Sequence, residues 1–339
     1  MSSEIKTFKR IYIVLPVIIG LSVVGWLFYR EFNSTLFAEI HFSMQLLAGI
    51  LLAFLFMFGR DGGLIWRFRL ISDRSLTWRQ AFNVNMLCEF TSAVTPSSVG
   101  GSSLIIFFLN KEGINAGRSS ALMMSCLFLD ELFLVLACPV AFLLFSFNEL
   151  FGSTTLFTSG IKLLFFALYV AIAFWTLLLY FALFKRPEYV KKILLAVFRL
   201  PLIRRWRKSV ETLAENMVHS SGEMSRKPFL FWLKAFTATC LSWISRYLVV
   251  NALLFAFVMR GDHLLAFARQ LILWVVMTIS PTPGGSGVSE YIFQVFYADF
   301  FSVAGMALVV AFVWRVITYY MYLIIGAVLI PGWIKKIKN

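Results

Sequence analysis

The stretch ISPTPGGSGVSE, residues 279–290, is flanked on both sides by segments built mainly from Phe, Leu, Val and Ile. It contains two prolines and three glycines. Each proline removes a backbone hydrogen-bond donor and each glycine loosens a helix, so a regular membrane-spanning helix cannot run through it. The stretch therefore predicts a break in the backbone at membrane depth, and the fold must provide partners for the broken segment.

The composition indicates whether the rest of the chain lies in water or in a membrane. Of its 339 residues 60% are hydrophobic and 14% are charged, and the mean hydropathy is +0.82. That is more apolar surface than a soluble core can bury, so the fold class is an all-α polytopic membrane protein. The net charge of +14 comes from short basic runs between apolar segments, which favours lipid headgroups over nucleic acid as partners. No metal or cofactor motif is present, and we expect none to be bound.

Apolar runs of about 20 residues predict about six full spans. They are 11–29, 40–58, 119–147, 161–184, 229–258 and 302–330. Two further apolar regions, 81–109 and 266–299, each contain a Thr-Pro followed by Gly-Gly-Ser, in TPSSVGGS at 95–102 and TPGGS at 282–286. Their lengths and central breaks favour re-entrant helical hairpins, with a single kinked span as the alternative.

The basic residues indicate the orientation. If the N-terminus is cytoplasmic and both broken regions return to the side they enter from, the cytoplasmic segments hold about 25 of the 31 Lys and Arg, as the positive-inside rule requires. These segments are 1–10, 59–80, 110–118, 185–228 and 331–339, with Lys234 at the start of a span. Both termini are then cytoplasmic, and we expect the first span to stay as an anchor in a bacterial cytoplasmic membrane.

This arrangement divides a single membrane domain, 1–339, into two inverted repeats, 11–147 and 161–330. Inverted repeats are typical of transporters, whose binding sites lie near the bilayer midplane between discontinuous helices. The basic connector at 185–228 has apolar residues at helical spacing from 203 to 219, which predicts an amphipathic helix at the headgroup surface. A solvated connector is the alternative.

Three motifs carry a resemblance to a known family. TPSSVGG, the following NKEGINAGRSSALMMSCLFLDEL and the later SPTPGGSGVSE resemble the transmembrane region of lysylphosphatidylglycerol synthases, a flippase-like superfamily. The resemblance implies a role in moving or handling amphiphilic lipids, phospholipids or polyprenyl-phosphate lipids. Those synthases carry a soluble aminoacyl-transferase domain after the membrane part, whereas this sequence ends at PGWIKKIKN, so we do not expect the synthase reaction here.

The candidate substrate-binding residues combine the two breaks with charges at membrane depth. Free amides at the glycines, placed at helix N-termini, predict a nest for an anion, and an ionisable side chain in lipid costs several kcal/mol unless it is paired or wetted. The set is Thr95, Pro96, Gly100, Gly101, Thr282, Pro283, Gly284, Gly285, Gly287, Glu290, Glu89, Asp130, Arg246 and Arg315. Glu131 is a further buried charge. Packing kinks and structural ion pairs are the alternative reading.

Three functions remain open from the sequence. The first is a flippase or transporter for an anionic or polyprenyl-linked lipid, in which Arg246 or Arg315 binds the headgroup phosphate through its planar fork. The second is an intramembrane transferase with Glu89, Asp130 or Glu290 as base, which the absence of a nucleotide loop or nucleophile–base pair disfavours. The third is a non-transporting partner of a separate lipid synthase. We expect no enzymatic activity, and the oligomeric state stays open.

Overall fold

A computed structural model of the chain describes residues 42–338, apart from 96–98, 153–156, 198, 200–206, 259–260, 281, 283 and 304. Every regular element in this part of the chain is helical. The helices are α1 Met44–Ile71, α2 Trp78–Val94, α3 Val99–Lys111, α4 Ala116–Leu144, α5 Phe147–Phe151, α6 Phe157–Tyr180, α7 Pro187–Val197, α8 Arg207–Ser225, α9 Phe229–Phe257, α10 His263–Met277, α11 Val288–Tyr297, α12 Met306–Arg315 and α13 Met321–Lys338. A π-helical turn, Phe181–Lys185, extends α6, and a second, Val316–Tyr320, joins α12 to α13.

Five helical segments in the described part are long and apolar enough to cross a membrane. They are Met44–Ile71, Ala116–Leu144, Gly160–Lys185, Phe229–Phe257 and Met306–Trp333. Each overlaps one of the predicted spans, which confirms a polytopic all-α membrane protein. The predicted span at 11–29 lies outside the described residues, so the total of six stays a prediction.

The loop predicted at 59–80 is helical in its first half, and the cytoplasmic location of this segment stays a prediction. Helix α1 continues without interruption to Ile71, and Arg60 and Arg67 on it are buried. The positive-inside count treated these arginines as surface residues. They lie inside because carboxylates from other helices, Glu89 and Asp130, pair with them.

Close packing of α1 on α9 forms the centre of the molecule, because glycines on α1 face the α9 backbone. A Cβ added at Gly63 would lie 2.7 Å from the Ala238 carbonyl oxygen and 2.9 Å from the Ser242 nitrogen. A Cβ at Gly49 would lie 2.8 Å from the Ala252 carbonyl oxygen. The later glycine of α1 meets the earlier residues of α9, so the two helices are antiparallel. Their small residues let the backbones approach each other as in other membrane helix pairs.

Each of the two broken regions is a pair of helices whose outer ends lie side by side. At the first pair, α2 and α3, the Gln80 amide donates to the carbonyl of Glu112 at 3.2 Å. At the second pair, α10 and α11, the Tyr297 hydroxyl donates to the Ala266 carbonyl at 2.7 Å. Capping side chains set where these helices begin: Thr77 and Gln80 form a capping box at α2, and the Asp262 carboxylate accepts from two amides at α10.

The two helix pairs have their outer ends on opposite sides of the molecule. Near the outer end of the first pair, Asp73 binds Arg118 at 2.9 Å and Lys227 at 2.6 Å, which joins the C-terminal end of α1 to the starts of α4 and α9. Helix α4 has 29 residues, which is roughly 43 Å at about 1.5 Å per residue. Its far end leads to α5, which touches the outer end of the second pair.

An arginine clamp holds the outer end of the second pair. Arg269 of α10 binds both carboxylate oxygens of Asp299, at 2.6 and 2.7 Å, and donates from Nε to the carbonyl of Glu149 in α5. The Glu149 side chain caps α5, and hydrogen bonds from the Ser146 hydroxyl and amide hold the pKa of that carboxyl below its usual range. The clamp therefore ties α10, α11 and α5 together at one face of the molecule.

Within the predicted connector the structure places α7 and α8. Helix α8 begins at Arg207, contacts α4, and buries Ala214, Ser221 and Met224. The predicted helix over 203–219 is thus present from 207 onward, and its first residues lie outside the described part. Its position at the headgroup surface stays a prediction.

Candidate functional site

The two backbone breaks meet in the interior of the protein. The Gly284 amide donates to the Thr95 carbonyl at 3.2 Å, so the residue that ends α2 binds the loop that precedes α11. The Tyr319 hydroxyl, from the π-helical turn after α12, donates to the carbonyl of Ala93 at 3.1 Å. Backbone groups left over at the ends of broken helices thus find partners in the other half of the chain, which is how a broken backbone is tolerated at membrane depth.

A buried ion pair shapes the second break. Arg315 donates from Nε to Glu290 Oε1 at 3.0 Å and from Nη2 to the Gly284 carbonyl at 2.9 Å. The other oxygen of Glu290 accepts from the Gly287 amide at 2.7 Å and from the Ser289 hydroxyl at 2.8 Å. Of the two arginines predicted to bind phosphate, Arg315 is therefore already satisfied by a carboxylate of the protein.

The predicted anion nest at the second break is filled by the protein itself. Gly284, Gly285 and Gly287 have φ angles of +56°, +73° and +82°, a region that favours glycine. Their amides donate to the Thr95 carbonyl, the Thr282 carbonyl and the Glu290 carboxylate, respectively. The glycines shape the tight loop, and none of these three amides is open to a ligand.

Behind the breaks, Arg60 holds two carboxylates in the protein interior. It pairs with Glu89 of α2 and with the neighbouring Asp61, the latter at 3.0 Å. Asp61 also accepts from the hydroxyl of Tyr322 at 2.6 Å and from the Asn85 amide at 3.3 Å. The cluster links α1, α2 and α13 and sets two carboxylates against one guanidinium.

Seven residues after Arg60 on α1, Arg67 forms a bidentate pair with Asp130 of α4. The two N–H···O distances are 2.5 and 3.0 Å, and Asp130 Oδ1 also accepts from the Trp243 indole at 2.8 Å. A second Nη1 contact goes to the hydroxyl of Thr239 at 3.1 Å. Asp130 is thereby locked between α1, α4 and α9.

Arg246 differs from the other interior arginines. In the part of the chain that the structure describes, no carboxylate lies within 4.0 Å of its guanidinium. The Cζ atom of the guanidinium lies over the Trp274 ring, 4.0 Å from the ring centre, and 5.6 Å from the centre of the Trp243 ring. Stacking on an aromatic face holds an arginine in place while its N–H groups stay available around the edge.

Arg246 lines two adjoining cavities. The larger measures about 500 Å³ and the smaller about 130 Å³, and Glu89, Ser92, Trp274 and Thr278 line both of them as well. The larger has charged groups on one wall and an apolar wall that includes residues of α6. Its charged residues are Arg60, Arg67, Glu89, Asp130, Glu131 and Arg246, and its α6 residues are Leu168, Ala171, Ile172 and Trp175. A cavity with these two walls suits an amphiphile.

The structure brings together part of the predicted site. Glu89, Asp130 and Arg246 line the larger cavity, and Glu89, Arg246, Gly284, Gly285 and Arg315 line the smaller one. Glu290 is fully buried beneath it. Thr95, Thr282 and Gly287 serve the loop contacts, Gly100 and Gly101 lie in the first turn of α3, and Pro96 and Pro283 lie outside the described residues.

The sequence reading missed Arg60, Asp61 and Arg67. A signal was present: Arg60 and Arg67 are seven residues apart, on one helical face, and Gly59 and Gly63 follow the spacing of close-packed membrane helices. This pattern continues the apolar run that the span prediction ended at residue 58. Arg269, which lies inside the predicted hairpin region 266–299, was not singled out either, nor was its bidentate partner Asp299.

The sequence is similar to known proteins over most of its length. Residues 13–326 match the family described as the lysylphosphatidylglycerol synthase TM region. The chain belongs to this family. It is also similar to a UPF0104 membrane protein of Archaeoglobus fulgidus, with 25% identity over 284 residues that cover 78% of this chain and 81% of that protein. The family and the five spanning helices together establish a multi-pass membrane protein.

Proposed function

We propose that the protein is a lipid flippase, which moves an anionic amphiphile across a cytoplasmic membrane. The single observation that carries the proposal is Arg246, an interior arginine that has no carboxylate partner among the described residues and faces both cavities. An unpaired cation at membrane depth is costly unless it is wetted or finds an anion. A lipid phosphate supplies that anion, and the guanidinium offers it two parallel N–H donors.

The cavity gives each part of such a lipid its own environment. The charged wall and Arg246 receive the headgroup, while the wall formed by α6 offers apolar contacts to the glycerol or prenyl end. The family also supports a lipid as the ligand, since its name refers to synthases of an aminoacylated phosphatidylglycerol. An anionic phospholipid or a polyprenyl phosphate has the required chemistry.

The two broken helix pairs supply a framework for alternating access. We propose that they re-enter the membrane from opposite sides, as parts of two inverted repeats, with cytoplasmic N- and C-termini. The Thr95–Gly284 hydrogen bond joins their inner ends, and Gln80–Glu112 and Ala266–Tyr297 join the outer ends of each pair. Rocking of one repeat against the other around a fixed midplane site is the motion that such folds use.

An intramembrane transferase has less geometric support. Each carboxylate considered as a base is held by an arginine: Glu89 by Arg60, Asp130 by Arg67, and Glu290 by Arg315. A carboxylate in such a pair is a weaker proton acceptor than a free one. Catalysis would show itself in the following experiment as the formation of a new lipid product.

The test is transbilayer movement of a fluorescent phosphatidylglycerol in proteoliposomes that contain the full chain. Dithionite bleaches only the outer leaflet, so flipping gives loss of signal beyond the half that protein-free vesicles lose. Lipid extracts from the same vesicles are analysed for new products. Flipping without chemical change supports the proposal, product formation supports an enzyme, and the absence of both supports a role as a synthase partner.

A further inference from the structure

The large cavity contains one carboxylate that has no cation beside it. Glu131 follows Asp130 on α4, near the middle of this 29-residue helix. Its Oε2 atom is buried without a hydrogen-bond partner, and the residue lines the cavity beside the apolar wall from α6. Among the described residues, no Lys, Arg or His lies within ion-pair distance of it.

None of the neighbouring arginines in the described part of the chain forms an ion pair with it. Arg67 is occupied by both oxygens of Asp130, and Arg60 by Glu89 and Asp61. Arg246 stacks on Trp274 and contacts no carboxylate in the described part of the chain. A carboxyl group without a partner in such surroundings is stabilised by carrying a proton, because burying an unpaired charge costs several kcal/mol.

Charged and titratable side chains reach the cavity from several helices. The cavity wall contains Arg60 and Arg67 from α1, Cys88 and Glu89 from α2, Cys126 and Asp130 from α4, and Arg246 from α9. Tyr247 of α9 and Tyr169 of α6 are titratable neighbours, and α3 and α10 contribute no charged group to the described cavity wall. The wall thus has three arginines and three carboxylates, and Glu131 is the carboxylate whose charge is not matched by direct contact.

We propose that Glu131 is a proton-binding site coupled to the headgroup site at Arg246. This inference rests on the proposed flippase function and adds a coupling ion to it. A proton on Glu131 removes one negative charge from the wall of the cavity that receives the anion, so protonation favours anion binding. By linkage, anion binding must favour protonation to the same extent. The lipid anion and the proton are therefore taken up together and released together.

Binding of a short-chain phosphatidylglycerol to the detergent-purified chain tests the coupling without any need for flipping. Trp243 and Trp274, which line the site, report binding by fluorescence, and a pH indicator in weak buffer reports protons taken up. We expect the apparent Kd of the wild type to rise with pH, by at most about tenfold per pH unit for one coupled proton. We also expect net proton uptake when the lipid binds.

Two variants separate this role from a structural one. Glu131→Gln mimics the protonated acid, so it should bind the lipid with an affinity that no longer depends on pH and without proton uptake. Glu223→Gln, at an exposed position on α8, should behave like the wild type in both respects. Proton uptake that persists in Glu131→Gln, a pH-independent wild type, or a wild type that does not bind the lipid at any pH overturns the coupling. Flipping of labelled lipid by a wild type that shows no proton uptake would leave the flippase function intact and remove only this inference.

Discussion

The amide of Gly284 donates to the carbonyl of Thr95 at 3.2 Å, across 189 residues of sequence, and so joins two helix breaks from different halves of the chain. Both residues belong to the Thr-Pro and Gly-Gly motifs that interrupt apolar regions of the sequence. Because each break leaves backbone groups that lipid cannot satisfy, pairing one break with the other stabilises both. In this structure the two motifs thus join the two helix pairs, and Gly284 lines the smaller cavity at the junction.

Replacement of Gly284 by Ala should weaken this junction. A Cβ there would lie 2.9 Å from the Ala93 carbonyl oxygen and would also meet the ring of Tyr319, and the φ of +56° is strained for alanine. We expect the thermal stability of the detergent-solubilised variant to drop by several degrees and flipping to fall with it. Gly113→Ala is the matched control, because Gly113 has a φ of +99° but no atom within 4 Å of an added Cβ. Equal stability of the two variants would show that strain alone, and not the junction, accounts for the effect.

The α1–α9 contact gives a sharper test of packing. Gly63→Ala places a methyl group 2.7 Å from the Ala238 carbonyl oxygen, and backbone cannot move aside as a side chain can. Overpacking of this kind typically costs about 1–3 kcal/mol. Gly62→Ala, one residue away on the same helix with nothing within 4 Å, should leave stability unchanged or raise it slightly, since alanine favours a helix by up to about 1 kcal/mol. Thermal unfolding in one detergent compares the two, and a Gly63→Ala variant as stable as the wild type would contradict the close approach.

The pair Arg315–Glu290 should behave as a structural unit. Removal of one partner leaves a buried charge uncompensated, for which about 3–5 kcal/mol is typical. We expect Arg315→Gln and Glu290→Gln each to lower the yield and thermal stability strongly, and the double variant to be more stable than the sum of the two losses. A strictly additive double variant would show that the two side chains do not interact.

Cysteine labelling tests the proposed orientation. Cysteines at Asn148 and Ala298, both exposed and near the Arg269 clamp, should react with an impermeant reagent added to whole cells. Cysteines at Ser75 and Glu223, exposed on the opposite side and on α8, should react only after the membrane is opened. Ser221, on the same helix as Glu223, is fully buried and therefore unsuitable as a labelling site. Labelling at Ser75 from outside would indicate the opposite orientation. Labelling of all four sites from outside would contradict the proposed membrane topology.

The sequence predicted that the chain lies in a membrane, where the five spans within the described residues are, and where both breaks fall. These features depend on local composition. It did not predict which charges pair. Arg67 and Asp130 lie 63 residues apart, and Arg60 joins Glu89 from another helix, so their burial follows from contacts that no window of sequence contains. For the same reason the predicted span ended at residue 58, whereas α1 continues to Ile71.

The glycines show a second limit of sequence reasoning. Their positive φ angles agree with a tight loop at membrane depth, but the acceptors of their amides come from Thr95, Thr282 and Glu290. A free amide and a satisfied amide look alike in a sequence. At the second break the expected anion nest is therefore a loop locked by a carboxylate, whereas Arg246, also expected to bind phosphate, has no carboxylate partner among the described residues.

Substitution of Arg246 by Lys is the most direct measurement on the central claim that a lipid anion crosses through the cavity at this residue. Lysine keeps the charge but loses the planar fork and the stacking on Trp274. We expect flipping of fluorescent phosphatidylglycerol in proteoliposomes to fall about tenfold or more, which corresponds to about 1.4 kcal/mol of lost interaction, while thermal stability stays near that of the wild type. Arg79→Lys, at an exposed arginine of α2, should flip lipid at the wild-type rate. Wild-type flipping by Arg246→Lys and Arg246→Gln would contradict the account.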